Sequence, residues 1–199
     1  MKITNNRLLK LLQFIEEIEK LKNIYRINTL SDGSRQESDA EHSWHLAMII
    51  LIIKDELGIK FNADKAIKIA LIHDLIEIYT GDTWPMNDKE KEDKKIAEKK
   101  SADKLFSQLP SDLKIEFETY WLEYENASSE EAKIVKGLDK IVYSMHYCMS
   151  GKIVWNKRES TKEERMLYGM PHVKHNKVLV DILEYYLDRL EKIKSNQKK

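Results

Sequence analysis

The chain is short of the residues that interrupt or staple a backbone: 199 residues include six glycines, three prolines and one cysteine, Cys148. So few turn-formers leave little to punctuate short strands, and with Leu, Ile, Lys and Glu abundant the composition predicts helices throughout. No segment alternates apolar and polar residues in a way that predicts a strand. A single cysteine excludes an intrachain disulfide framework and fits a reducing compartment, so the expected location is cytoplasmic. An excess of one charge is missing too: 34 Lys and Arg balance 34 Asp and Glu. That balance excludes a broad basic footprint for nucleic acid or an anionic membrane. The longest apolar run, Leu46 to Ile53, is far short of the roughly 20 residues that span a bilayer, and the N-terminus lacks the apolar core of a signal peptide.

What is present is the make-up of a soluble globular protein, 42% hydrophobic and 34% charged. The expectation is all-α, one domain over residues 1–199 with its core over about 5–150 and a C-terminal helical segment over 151–199. Leu8, Leu11, Leu12, Ile15, Ile18 and Leu21 recur at helical spacing and predict a first helix over 5–22. The pattern then breaks into a polar connection holding Arg26 and Arg35, and long polar connections inside compact domains are often functional. Ser38 with Glu41 three residues on predicts a capping box opening a second helix, with His42 in its first turn and Gly58 at its end. A third helix starts after Asn62-Ala63-Asp64 and delivers His73-Asp74 at its far end. Residues 87–108 predict a helix with a solvated, charged face. Another helix follows Pro110 with Phe117, Tyr120, Trp121 and Tyr124 as its aromatic stripe, and a long one runs from Ser129-Glu130 through Met145. Residues 151–171 are expected to be irregular, and Val173–Ile193 to form a last amphipathic helix.

The polar residues inside apolar helices carry the functional signal. In AIKIALIHDLIEIYTGD, residues 66–82, an apolar run leads straight into His73-Asp74, with Glu77 one turn further on. A polar group buried without a partner costs roughly 2–7 kcal/mol, so the pair calls for a cation, a hydrogen-bond network or an exit to solvent. On a continuous helix Glu77 would share a face with both. Taken alone, the pair reads first as a core histidine with Asp74 beginning a loop, because a two-residue motif recurs by chance in many proteins. Asp139, flanked by Leu138 and Ile141, poses the same question, and alone it fits a surface aspartate on the helix edge.

In combination these residues resemble a known family. A histidine opening one helix, a His-Asp pair ending the next and an aspartate in a later helix, here His42, His73-Asp74 and Asp139, resemble the HD-domain metal-dependent phosphohydrolases. The stretches ESDAEHSWHLAMI, ALIHDLIEIYTGD and SSEEAKIVKGLDKI are similar to the 5'-deoxynucleotidase branch, over about residues 8–145. The resemblance implies an HD-domain helical bundle in which His42, His73, Asp74 and Asp139 hold a divalent cation. Two imidazoles and two carboxylates suit Mn, Co, Fe, Ni or Mg without choosing among them. It also implies that Glu77 positions or deprotonates the attacking water, that Asp82 with the adjoining Thr83 contacts substrate or a second cation, and that Arg26 binds phosphate. Arg35, in the loop leading to His42, is a further substrate candidate. Ile27 stands where parts of the family place an aromatic residue, so a preference for deoxyribose is not carried over. His45 is expected to be non-ligating, and His146, His172 and His175 to be structural or solvent-facing. The expected substrate is a nucleoside 5'-monophosphate and the expected assembly a homodimer. Two alternatives stand beside it: HD chemistry on cyclic or polyphosphorylated nucleotides, and a non-catalytic nucleotide-binding scaffold.

Overall fold

The computed structural model describes residues 4–83, 88–150 and 161–197. Within them the chain is mostly helical. Helix α1 (Asn6–Ile18) is capped by Asn5, whose side chain accepts from the Leu8 N–H, and tightens into a 3-10 turn over Glu19–Asn23. After a short hairpin come α2 (Asp39–Ile53), α3 (Ala63–Ile72), the single turn α4 (Glu77–Thr80), α5 (Asp88–Phe106), α6 (Ser111–Asn126), α7 (Glu130–Ser150), α8 (Lys162–Val173) and α9 (Lys177–Gln197). The capping box expected at Ser38 is formed: the Ser38 hydroxyl accepts from the Glu41 N–H, and Glu41 accepts from the Ser38 N–H.

Two expectations are corrected. The polar connection after the first helix contains a hairpin, β1 (Tyr25–Thr29) paired antiparallel with β2 (Gln36–Ser38), where no strand was expected. Tyr, Ile and Thr favour a pleated surface, and the turn is closed locally: the Leu30 N–H donates to Arg35 O, and Asp32 accepts from the Ser34 N–H. Residues 162–171, expected to be irregular, belong to α8, which opens on a capping box between Thr161 and Glu164. Gly169-Met170-Pro171 looks like a breaker in sequence, but the glycine serves contact. A Cβ there would lie 2.8 Å from Leu183 Cδ2, so with a side chain at this position Leu183 would have to shift. The remainder of that irregular stretch, 151–160, and the turn expected at Trp84-Pro85 lie outside the described residues.

Two apolar clusters hold these elements. One packs α2, α3, α7 and α9 around Leu46, Ile50, Ile69, Leu138, Leu179 and Leu183. The other gathers Phe14, Ile72, Leu75, Ile76, Leu105, Phe106 and Trp121 from α1, α5, α6 and the end of α3. Each such side chain, fully buried, contributes about 1.5–3 kcal/mol. Ala70 belongs to the first cluster and Ile72 to the second, so His73-Asp74 emerges at their seam. No described helix is long and apolar enough to cross a membrane.

Candidate metal centre

The capping box turns the first turn of α2 inward, burying Asp39 and His42 three residues apart on one face. At the end of α3 the backbone tightens. Leu75, Glu77, Ile78 and Tyr79 donate to carbonyls three residues back, so the helix does not continue as α through Glu77. This departs from the continuous helix on which Glu77 was placed beside His73, yet Glu77 still points inward and is 6% exposed. The short α4 ends at Gly81, whose φ of 70° favours glycine, and Asp82 follows half-buried.

Each candidate ligand is oriented by a partner. His73 Nδ1 lies 2.8 Å from Ala70 O; a carbonyl only accepts, so the proton sits on Nδ1 and Nε2 is free to face the cluster. Asp139 has one oxygen tied down, Oδ2 accepting from Tyr124 Oη at 2.9 Å and from Lys140 Nζ at 2.7 Å. Its other oxygen, Oδ1, lies 3.1 Å from His42 Nε2. Asp74 Oδ2 lies 3.0 Å from His73 Nε2 and 4.0 Å from His42 Nε2. One ligand atom each from His42, His73 and Asp139 falls within a mutual 4.8 Å, and the same holds for Asp39, Asp74 and Glu77. His42 Nε2 and His73 Nε2 are buried without a directed hydrogen bond.

Arg26 reaches into this cluster from β1, its Nη1 donating to Asp74 Oδ2 at 2.8 Å while Nη2 stands 3.6 Å from Asp139 Oδ1. Burial opposes its charge, but Asp74, Asp139, Asp82 and Asp39 outweigh burial and hold the guanidinium firmly protonated. The carboxylates divide into two kinds. Burial would raise Asp74 and Asp139, yet His73 and Arg26 beside it keep Asp74 ionised, and Lys140 with His42 keeps Asp139 well below its usual range. Burial and the neighbouring Asp74 push Asp39 up to about 7 and Glu77 well above its ordinary value. Asp82 is raised by burial as well, with Arg26 pulling the other way. Burial, helped by Arg26, lowers His42 and favours the neutral imidazole a metal requires. Burial also works to lower His73, but the Asp74 carboxylate outweighs it and holds this ring above its ordinary value.

The cluster opens into a cleft of about 480 Å³ lined by Arg26, His73, Asp74, Glu77, Asp82, Thr83 and Asp139. Thr83 contributes from an exposed position, its carbonyl accepting from Lys94 at 2.6 Å. Arg35 is not brought there. It forms a two-pronged ion pair with Glu41 at 2.8 and 2.5 Å, bracing the cap of α2, and lines a separate surface groove with Tyr25 and Trp44. Several cleft residues had no place in the sequence expectations. Lys91 and Lys94 come from the charged run expected to be solvent face, and Lys136 and Lys140 flank Asp139 on α7. Tyr124 was expected only as core, and Tyr168 and His172 project from α8. The signals available for these were slight: Lys140 adjoins Asp139, and Asp39 adjoins the capping box. His45 stands apart from the four ligands, its ring stacked on His146.

A helical bundle whose second helix opens on a histidine, whose third ends in His-Asp and whose seventh presents an inward aspartate defines an HD domain. The HD-domain family model matches residues 18–176, and the chain belongs to that family. It is 36% identical over 131 residues to the human 5'-deoxynucleotidase HDDC2, covering 65% of this chain and 63% of that one. Over 135 residues it is 34% identical to the 5'-deoxynucleotidase YBR242W of Saccharomyces cerevisiae, covering 65% of this chain and 56% of the other. The chain thus spans somewhat less than two thirds of these relatives' length. A crystal structure from Magnetospirillum magnetotacticum MS-1, described as a predicted metal-dependent phosphohydrolase, superposes with a TM-score of 0.85 at 30% identity over 96% of each chain.

Proposed function

We propose that this chain is a metal-dependent phosphohydrolase that releases phosphate from (deoxy)nucleoside 5'-monophosphates. The observation that carries the proposal is the convergence of His42, His73, Asp74 and Asp139, the last three lining a cleft that Arg26 also enters. The names of the relatives support the same substrate class. The donor set fits a divalent ion of the Mn, Co, Fe, Ni or Mg group: it offers two imidazole nitrogens lacking hydrogen-bond partners beside two carboxylates kept ionised. When bound, such an ion acidifies a water and polarises a phosphoryl oxygen.

The chain's own residues supply the rest. Arg26 presents a fixed, permanently charged fork to phosphate oxygens, and Lys94, Lys136 and Lys140 surround the same cleft with positive charge. Glu77, buried beside Asp74 and Asp39, takes the proton of the attacking water. Tyr124 and Lys140 hold Asp139 so that only Oδ1 faces inward. Asp82 and Thr83 line the same cleft and contact substrate there. Tyr168 and His172 offer ring faces from α8 against which a base can lie.

A metal-titrated phosphate-release screen across nucleoside mono-, di-, tri- and cyclic phosphates tests the proposal. Release from 5'-monophosphates that depends on added divalent metal is expected. Turnover confined to cyclic or polyphosphorylated nucleotides would assign the other HD chemistry, and binding without turnover would assign a scaffold.

A further inference from the structure

A second set of metal-ligating side chains lies outside the cleft. Glu37 on β2, His45 on α2 and His146 on α7 place one ligand atom each within a mutual 4.8 Å. Glu37 and His146 are 2% and 6% exposed, yet Glu37 Oε2 and His146 Nδ1 have no directed hydrogen bond, although they lie 3.2 Å apart. That separation is close to the roughly 3.3 Å between two ligand atoms on a tetrahedral ion with bonds of about 2.0–2.1 Å. The rings of His45 and His146 lie side by side, centroids 5.7 Å apart and 14° from parallel. A simple Glu37–His146 ion pair accounts for the short contact but not for its lack of hydrogen-bond direction, nor for a third donor converging on the same point.

We propose that Glu37, His45 and His146 form a second divalent-cation site of the zinc class, structural rather than catalytic. Two imidazole nitrogens and one carboxylate oxygen are a borderline donor set that suits such an ion, with a fourth position for water on the half-buried His45 side. The three ligands come from three elements, so the ion ties the hairpin to α2 and α7. Its effect on the cleft is indirect: β2 pairs with β1, which carries Arg26, and Glu37 Oε2 also stands 3.9 Å from His42 Nδ1. The second ion thereby fixes the hairpin that aims the guanidinium and the carboxylate behind the ring of His42.

The test counts metal without substrate, so its outcome is separable from that of the phosphate-release screen. Purified full-length protein is stripped with chelator, incubated with Zn²⁺ alone, desalted and analysed for bound zinc, with circular dichroism confirming that each variant stays helical. Wild type is expected to hold two equivalents; His45→Gln and, independently, His146→Gln are expected to hold one. Asp74→Ala, which alters the cleft only, is expected to keep the equivalent that His45→Gln loses, and the double variant to hold none. Co²⁺ in place of Zn²⁺ should give tetrahedral absorption bands in Asp74→Ala that vanish in the double variant. A wild-type protein that holds no zinc, or whose bound zinc is undiminished by both histidine substitutions, would overturn the proposal; a single equivalent lost in both histidine variants but kept in Asp74→Ala would uphold it and count against the cleft instead.

Discussion

Removing one hydroxyl tests how the protein orients a metal ligand. Tyr124→Phe keeps the buried ring, which lies 4.7 Å from the ring of His73, and deletes only the Oη that donates to Asp139 Oδ2 at 2.9 Å. A hydrogen bond to a charged group is worth about 1.5–3 kcal/mol. Lys140 Nζ still holds the same oxygen at 2.7 Å, so the loss belongs at the lower end, about 1.5 kcal/mol. Because the lost bond is one of two that keep Oδ1 pointing inward, the variant is expected to bind its divalent ion about 10-fold more weakly, at the mild end of what the loss of a ligand-orienting partner costs. Turnover at saturating metal should stay within a few-fold of wild type. Titration calorimetry with Mn²⁺, beside phosphate release measured across metal concentrations, reads both quantities. Unchanged metal affinity would refute the argument that Tyr124 positions Asp139, and so would a collapse of turnover that excess metal does not restore.

The two loop arginines are expected to behave differently. Arg26→Ala should lower kcat/KM by about 10²-fold, the equivalent of losing charge-assisted bonds of about 1.5–3 kcal/mol. Arg35→Ala should leave KM unchanged and reduce stability only slightly, since its pair with Glu41 is half exposed. The sign follows from Glu41, whose pKa is lowered to about 2 chiefly by Arg35. The stabilisation is present above the ordinary carboxylate pKa and lost as pH falls through the folded value, so melting curves of wild type and Arg35→Ala should converge as pH drops from about 4.5 towards 2. Gly169→Ala should lower stability by about 1–3 kcal/mol in a denaturant titration, because the new Cβ meets Leu183 Cδ2 at 2.8 Å. Pairing as a homodimer is expected to cover exposed apolar residues of α1 and α9, among them Ile15 and Tyr185, and sedimentation velocity at micromolar concentration should show a dimer; a monomer would refute it.

The helical architecture was legible because Leu and Ile recur every three or four residues and because two capping signals, Asn62 and Ser38, stand at the starts of their helices. Three of the four candidate ligands, His73, Asp74 and Asp139, stood out as polar residues in apolar stretches, while His42 entered only through the family resemblance; the fold sets all four side by side. What was not legible depended on tertiary neighbours. Strand β2 has only three residues, too few for alternation to register, and its pairing depends on the turn through Asp32 and Gly33. Lys91 and Lys94 lie in a run of charge that reads as solvated, and only the placement of α5 against the cleft gives them a task. Residues 162–171 read as irregular because Leu183, the neighbour that takes the space at Gly169, lies on another helix. Arg35 looked like a substrate ligand from its place in the loop, while its partner proved to be the cap residue Glu41.

The central claim, a bound metal ion with Glu77 as a separate base, is tested most directly by measuring metal content and activity on the same samples. Wild type and, in a His45→Gln background that leaves only the cleft to be counted, the His45→Gln parent, Glu77→Ala and Asp74→Ala are each analysed for bound divalent metal and assayed for phosphate release from a deoxynucleoside 5'-monophosphate. Glu77→Ala is expected to retain near-normal metal and lose about 10²–10⁴-fold in rate, and Asp74→Ala to lose metal and activity together. A Glu77→Ala protein that turns over at the wild-type rate, or an Asp74→Ala protein that keeps its cleft metal and its activity, would contradict the account.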